Sequence, residues 1–233
     1  MGSEGPVTAF LPCRKGSERV PRKNIRPFGT FSHGLVEIKL GQLLSCGSID
    51  HVVLSTNDPE ILDLAAALDA RDKLTLHRRE ESLSSSQTST DSLVAHARSL
   101  VKDGHILWTH VTSPFVTAAH YAEIIAGYRA ALEKGHDSLM TTNLLHSFLW
   151  SQEGPVNYDH SVEKWPRTQT LPPLHEVNSA IFLASSDIYD RCKDRIGANP
   201  CLWPLDKITA LDIDWDEDFQ LAEQVLLSGL ART

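Results

Sequence analysis

The sequence predicts an α/β fold in which a largely parallel sheet carries helices on both faces. The main observation is that short apolar runs alternate with amphipathic stretches from end to end, without an internal repeat. The second is the size of the chain, since 233 residues, 41% of them hydrophobic, can bury one sizeable core. We therefore predict a single domain over residues 1–233, whose ligands bind beyond the carboxyl ends of the strands.

The first half of the chain contains three strand-like and three helix-like segments. Residues 7–12 (VTAFLP) form a short apolar run typical of a buried strand and lead into a polar, basic loop over 13–29. Pro59 falls where the first turn of a helix tolerates proline. The predicted strands are 7–12, 51–55 and 74–77, and the predicted helices are 35–46, 60–69 and 91–102.

The second half continues the alternation, except over residues 143–176. That stretch mixes aromatic, proline and polar residues without a steady period. Because it is longer than ordinary connections, we interpret it as a functional or interface element. The predicted strands are 106–111, 137–142, 180–184 and 209–213, and the predicted helices are 118–134, 186–193 and 216–229.

Charge and composition argue against several classes of protein. The net charge of −8 disfavours binding to nucleic acid or to an acidic membrane, because both need a basic surface. No apolar run reaches the roughly 18–20 residues of a membrane span, and the first residues lack a signal-peptide pattern, so we expect a cytoplasmic protein. The 4 cysteines are widely spaced and the 11 histidines lack HxH or HExxH spacing, which predicts reduced thiols and no zinc site.

A basic segment, RKGSERVPRKNIR at 14–26, directly follows the first predicted strand. Its Gly16 and Ser17 can present backbone N–H groups to an anion, and the flanking cations can neutralise a polyphosphate. The alternative is a solvated basic loop, and the GxxxxGKS/T pattern of a P-loop is not present. The basic residues are Arg14, Lys15, Arg19, Arg22, Lys23 and Arg26.

An acidic segment, LDIDWDEDF at 211–219, precedes the last predicted helix. Asp212 and Asp214 flank one apolar residue, so a strand would place both carboxylates on one face. Paired carboxylates suit magnesium bound together with phosphates, and the alternative is a solvated strand end. The acids at 216–218 fall in the first turn of the helix, where the helix dipole favours them.

Segments along essentially the whole chain resemble the acylneuraminate cytidylyltransferases, the CMP-sialic acid synthetases. The first and last segments together are specific for the family, whereas HRRE or NSAIF alone would be a weak indication of it. The resemblance implies a three-layer αβα nucleotidyltransferase fold, with a Rossmann-like, mixed and mostly parallel sheet. The segments are LPCRKGSERVPRKNIRPFG, STND, HRRE, HVTSPF, WPRTQTLP, NSAIF and ALDIDWDEDFQLAE, in this order.

Position by position, the resemblance assigns a role to residues of the nucleotide site. It implies that Arg14 and Lys23 hold the triphosphate of CTP, assisted by amides near Gly16 and Ser17. It places Asn24 and Arg78 against the nucleoside, and gives Asp212 and Asp214 the magnesium ion.

The resemblance also implies an acceptor site and a homodimer. Arg167 would pair with the carboxylate of a sugar acid, for which a guanidinium is suited. His110, Glu176 and Asn178 would line the sugar pocket, and residues 143–176 would cross to the partner subunit.

Four residues depart from the family's usual pattern: Glu18, Gln87, His110 and Glu176. Because the phosphate cations and the carboxylate pair are retained, we expect a cytidylyltransferase that converts CTP and a sialic-type 2-keto-3-deoxy sugar acid into a CMP-sugar and pyrophosphate. The changes at His110 and Glu176 predict that N-acetylneuraminic acid is not the best acceptor. The alternatives are a CMP-Kdo-type synthetase, and a weakened nucleotide-binding homologue that acts as a regulatory subunit.

Overall fold

The computed structural model describes residues 4–68, 70, 72–85 and 87–233. The strands are β1 (Val7–Pro12), β2 (His51–Thr56), β3 (Leu74–Arg78), β4 (His105–Thr109), β5 (Ser138–Leu145), β6 (Trp150–Ser151), β7 (Gly154–Pro155), β8 (Leu174–Ser185) and β9 (Pro200–Leu205). The helices are α1 (Gly34–Ser45), α2 (Pro59–Ala66), α3 (Thr90–Leu100), α4 (Ala118–Glu133), α5 (Ser186–Cys192) and α6 (Asp216–Leu227).

Seven strands form one mixed sheet in the order β3-β2-β1-β4-β8-β5-β9. All neighbours are parallel except β8, which runs antiparallel to both β4 and β5. Alternate side chains of the strands pack on opposite faces: Leu107 joins the core under α1, α2, α4 and α6, whereas Trp108 joins the core under α3 and α5. This arrangement confirms the predicted three-layer α/β fold.

The predicted strand over 209–213 is wrong, because residues 207–210 form a turn and 211–214 are irregular. The last strand of the sheet is β9 instead, whose sequence PCLWPL contains two prolines. Proline is tolerated there because β9 is an edge strand that pairs only with β5. Beyond it, the chain returns towards β4, and the Ile213 N–H donates to the Thr112 carbonyl at 2.9 Å.

The stretch 143–176 is more regular at its ends than predicted. β5 continues to Leu145 and β8 begins at Leu174, so the two strands leave the sheet as a paired ribbon. A β-bulge separates Met140 from Thr142, and Ser179 has φ of 60°, so the ribbon is bent relative to the sheet. The ribbon carries the β6–β7 hairpin, and we call residues 143–176 the arm.

Two features fix the loops at the carboxyl ends of β1 and β4. Gly34 begins α1 with φ of +62°, and a Cβ atom there would lie 2.0 Å from the Arg26 carbonyl oxygen, so only glycine lets the basic loop approach the helix. Fully buried Lys39 donates from Nζ to the Ser113 carbonyl at 2.8 Å and to Tyr121 Oη at 3.0 Å. Burial lowers the pKa of Lys39 well below its usual value. Within the described ranges, no helix is both long enough and apolar enough to cross a membrane.

Candidate active site

The basic loop after β1 is held open by hydrogen bonds from its backbone. The Cys13 N–H donates to the Ser55 carbonyl at 2.9 Å, and the Lys15 N–H donates to Asn57 Oδ1 at 2.8 Å. Asn24 closes the loop by donating from Nδ2 to the Arg14 carbonyl at 2.9 Å. Gly16 has φ of +78°, a left-handed conformation that favours glycine. The shape of the loop is therefore set by contacts of its main chain.

The basic side chains of this loop differ in what they contact. Arg22 pairs with Glu60 at 2.7 Å and Arg26 pairs with Asp216 at 2.6 Å, so both serve the protein itself. Within the part of the chain that the structure describes, the Arg14 guanidinium has no ion pair. Arg14 is thus available to an external anion.

Lys23 connects the loop to the acidic segment. Its Nζ donates to the Ile213 carbonyl at 2.6 Å and lies 3.7 Å from Asp214 Oδ1. Arg19 reaches the same carboxylate oxygen at 3.0 Å. Burial lowers the pKa of Lys23, and the neighbouring Asp214 and Asp212 oppose that shift. The structure therefore brings the predicted phosphate cations and the predicted metal carboxylates together.

Asp212 and Asp214 lie close together even though they do not lie on a strand. Buried Ile213 fixes the segment through its hydrogen bond to the Thr112 carbonyl, and the flanking carboxylates line a common cavity. Burial raises the pKa of Asp212, the negative charge of Asp214 raises it further, and a hydrogen bond from Thr112 opposes both. A nearby cation would relieve this unfavourable charge.

Two cavities lie near this carboxylate pair: Arg19 and Lys23, which contact Asp214, line one, and Asp212 and Asp214 line the other. We call the first the central cavity; it encloses about 660 Å³, and its lining includes Arg14, Ser17, Lys23, Asn24 and His110. We call the second the arm cavity; it encloses about 780 Å³, and its lining includes Glu176, Asn178, Asp212 and Asp214. Gly16 lines a smaller recess of about 300 Å³ that shares Arg14, Ser17, Lys23 and Asn24 with the central cavity.

A ladder of hydrogen bonds fixes the two predicted sugar-site residues of β8. Asn143 Nδ2 donates to Glu176 Oε2 at 2.8 Å, and Asn178 Nδ2 donates to Asn143 Oδ1 at 3.0 Å. Thr141 Oγ1 donates to Asn178 Oδ1 at 2.7 Å. Glu176 and Asn178 are therefore rigid parts of the ribbon at the wall of the arm cavity.

Arg78 and Arg167, two of the predicted site residues, line neither the two cavities nor the smaller recess. Arg78 ends β3 and is exposed, and Arg167 is exposed on the arm. The neighbouring Arg79 is 3% exposed, donates from Nε to Ser84 Oγ at 3.2 Å, and lies near Cys13 and Arg14. Burial lowers the pKa of Arg79. Sequence reasoning missed Arg79, although the doubled arginine at the end of a strand was a signal.

His110 directly follows β4 and is held by a residue of that strand. Trp108 Nε1 donates to His110 Nε2 at 2.7 Å. Burial, with a smaller contribution from the nearby Arg195 charge, lowers the pKa of His110 to about 3. Arg195 also lines the central cavity and was not predicted, because it follows α5 without a recognisable motif.

The carboxylate pair fits a magnesium ion by the chemistry of its donors. Among the described residues, no group of three or more His, Cys, Asp or Glu side chains could hold a metal ion. Magnesium commonly takes one or two carboxylates from the protein and completes its coordination with phosphates and water. Asp212 and Asp214 meet that requirement beside the phosphate cations, provided that Asp214 exchanges its contact with Arg19 for the ion.

The comparisons with known proteins agree with this geometry. The chain is 32% identical over 109 residues to a pseudaminic acid cytidylyltransferase of Campylobacter jejuni, covering 47% of this chain and 45% of the relative. It is 25% identical over 222 residues to an N-acylneuraminate cytidylyltransferase of Escherichia coli, covering 93% of this chain and 51% of the relative. The matches thus span about half the length of these two curated relatives.

Solved structures and a family profile complete the comparison. A CMP:2-keto-3-deoxy-manno-octonic acid synthetase in complex with CTP superimposes with a TM-score of 0.65 at 12% identity, covering 96% of this chain and 99% of that chain. At this identity the likeness shows the fold. The profile of the family described as Cytidylyltransferase matches residues 8–228, nearly the whole chain. The chain therefore belongs to the cytidylyltransferase family.

Proposed function

We propose that this protein transfers CMP from CTP to a nonulosonic, sialic-type 2-keto-3-deoxy sugar acid and releases pyrophosphate. The observation that carries the proposal is a cavity lined by Arg14 and Lys23, in which Arg14 has no ion pair among the described residues and Lys23 lies 3.7 Å from Asp214 of the carboxylate pair. Both relatives described above are named as cytidylyltransferases of nonulosonic acids.

In the proposed reaction, the anomeric hydroxyl of the acid attacks the α-phosphorus of CTP. The new oxygen–phosphorus bond forms as the bond to the β-phosphate bridging oxygen breaks; pyrophosphate leaves, and the hydroxyl proton is released. Arg14, Lys23 and the amides near Gly16 and Ser17 bind the triphosphate and stabilise the charge that grows on the leaving group. Asn24 positions the nucleoside by bracing the loop through the Arg14 carbonyl. The exposed Arg78 can join this contact only if the end of β3 moves towards the ligand.

Magnesium is the proposed cofactor, held by Asp212 and Asp214. When bound, it neutralises phosphate charge and polarises the α-phosphate. The protein's own contribution is to keep the two carboxylates fixed beside Lys23, through buried Ile213.

The acceptor is proposed to lie between His110 of the central cavity and Glu176 and Asn178 of the arm cavity. The negative charge of Glu176 discourages a second carboxylate, and it suits a hydroxyl or amide donor on the sugar. We therefore propose that a nonulosonic acid other than N-acetylneuraminic acid is the best acceptor.

We propose a homodimer in which the arm covers the partner's site, so that Arg167 reaches an acceptor carboxylate there. The arm exposes large apolar side chains, with Trp150 at 53%, Trp165 at 65% and Val162 at 83% exposure. Contiguous exposed apolar surface of this kind marks an interaction site. Sedimentation at several concentrations tests this: a monomer throughout would contradict it. The proposed location is the cytoplasm, where CTP is available.

The deciding experiment is pyrophosphate release from CTP and magnesium with a panel of acids: pseudaminic acid, N-acetylneuraminic acid and the eight-carbon acid Kdo. Turnover with a nine-carbon acid above that with Kdo supports the proposal, whereas preference for Kdo favours the CMP-Kdo alternative. A regulatory, nucleotide-binding role is the second candidate, since Glu18, which lines the central cavity, and Gln87 depart from the usual pattern. CTP binding without turnover of any acid would favour that role.

A further inference from the structure

The guanidinium of Arg195 lies on the wall of the central cavity without an acidic partner. Its Cζ atom is 3.6 Å from the centroid of the Phe182 ring and 5.1 Å from that of the Trp108 ring. Asp194, the adjacent acid, accepts a hydrogen bond from the backbone N–H of Arg195 instead, at 2.6 Å. Across the described ranges, no carboxylate forms an ion pair with this guanidinium. Stacking holds its plane while its N–H edge stays free to donate.

His110 presents a donor to the same cavity. The indole N–H of Trp108 can only donate, so the Nε2 atom of His110 that accepts from it carries no proton. In the neutral ring, the proton then lies on Nδ1. Neutrality is the stable state near pH 7, because burial and the Arg195 charge depress the pKa of His110. His110 therefore offers one N–H donor and no free acceptor.

The order of the strands places these donors on the acceptor side of the phosphates. The phosphate loop follows β1, and the carboxylate segment bridges this loop and the end of β4. Arg195 belongs to the segment after α5 and stacks on Phe182 of β8, which lies on the side of β4 away from β1. Arg78, which the resemblance assigns to the nucleoside, lies on the opposite side, at the end of β3.

The number of residues between Trp108 and Thr112 limits how far the donors lie from the carboxylate pair. Thr112, which hydrogen-bonds Asp212, follows Trp108 by four residues, and four residues span at most about 14 Å. Arg195 stacks at the level of Trp108, and His110 lies between the two. The backbone at Trp108 therefore lies no more than about 14 Å from that at Thr112, which limits the distance between the donors and the carboxylate pair.

We infer that Arg195 and His110 form a subsite of hydrogen-bond donors that binds a carbonyl or carboxylate oxygen of the sugar acid and so helps to select the acceptor. This inference rests on the proposed function. A subsite made only of donors discriminates against a substituent that offers only a hydroxyl, because a hydroxyl satisfies these donors less well. It rejects amine or amide N–H groups, because two donors that face each other both remain unpaired.

The test compares Arg195→Met with Arg195→Lys and with a matched control, Arg191→Met. Arg191 is exposed on α5 and pairs with Asp187 at 2.7 Å, away from both cavities. The Michaelis constants for CTP and for the acid are measured by pyrophosphate release. The dissociation constant of the acid is measured by calorimetry with CTP but without magnesium, so that no turnover occurs. Arg195→Met should raise both constants of the acid at least about tenfold, with partial recovery in Arg195→Lys, while the CTP constant changes less than twofold.

Two acids distinguish the two sources of the oxygen: N-acetylneuraminic acid, and its analogue with a hydroxyl in place of the acetamido group. If Arg195→Met weakens the binding of both acids equally, the carboxylate lies at Arg195. If it weakens only the binding of N-acetylneuraminic acid, the acyl carbonyl lies there. The inference is overturned if Arg195→Met lowers the melting temperature and leaves both acid constants unchanged, because the stacking is then structural. It is also overturned if the loss falls on CTP.

The same measurements separate this inference from the proposed function. If the parent protein binds an acid without turnover, the proposed function fails, and the ratio of dissociation constants still decides the role of Arg195. If the parent binds no acid at all, both fail.

Discussion

The proposed phosphate end and the proposed acceptor end of the site are built in different ways. At the phosphate end, Arg14, Gly16, Ser17, Lys23 and Asn24 come from one short loop whose backbone is fixed by its own contacts. At the acceptor end, the side chains come from separate segments after β4, on β8, after α5 and on the arm. Chemistry common to a family can therefore reside in one loop, while the acceptor depends on how distant segments pack.

The largest effect is expected at the junction of the two ends. Asp212→Asn and Asp214→Asn should each lower kcat about 100-fold or more, because neither amide can hold magnesium as a carboxylate does. Initial-rate measurements at saturating CTP and acid test this. Stability should hardly change, since Asp214 makes only partly exposed ion pairs and burial disfavours charge on Asp212. Near-parental rates in both variants would remove the metal assignment.

The next effect compares two arginines of the same loop. Arg14→Ala should reduce kcat/KM for CTP at least about tenfold, because a charge-assisted contact to phosphate contributes roughly 1.5–3 kcal/mol. Arg26→Ala is the matched control, since Arg26 pairs with Asp216 and stacks on Phe219 at 4.3 Å. Steady-state kinetics with varied CTP give both values. Equal, small effects would mean that the loop is a solvated basic surface.

The same contrast explains what the sequence could predict. Apolar periodicity located most elements of the sheet and its helices, and the basic loop could be singled out because its residues are contiguous. The β9 strand was missed because its prolines argue against a strand in general and are tolerated only at a sheet edge. Asp212 and Asp214 line the same cavity, but tertiary anchoring of Ile213, and not the predicted strand, places them there. Arg195 could not be found, because only folding brings it to Phe182.

A smaller effect is expected at the acceptor end. His110→Gln replaces a single fixed donor by an amide that can donate and accept, so it should shift the ratio of kcat/KM values towards N-acetylneuraminic acid by about threefold to tenfold. The CTP constant should stay within twofold. Competition between two acids in one reaction mixture measures this ratio directly. If the parent already prefers N-acetylneuraminic acid and the variant loses activity on every acid, His110 does not determine specificity.

The smallest expected effect is on stability in acid, and it isolates the buried ring of His110 from its contact with substrate. Its pKa is about 3 in the folded protein and about 6.5 when unfolded, so the unfolded chain binds the extra proton first. The neutral ring's contribution is complete above pH 6.5 and is lost progressively as the pH falls towards 3.

Between pH 7 and 5.5, the parent should therefore lose about 1 kcal/mol more stability than His110→Gln, which has no proton to take up. Urea unfolding at the two pH values gives the difference. His96 titrates in the same range, with its pKa lowered to about 4 by burial, but it is present in both proteins and cancels. Equal losses of stability in parent and variant would mean that the ring of His110 is solvated. His110 would then not be the neutral donor that is inferred to select the acceptor together with Arg195.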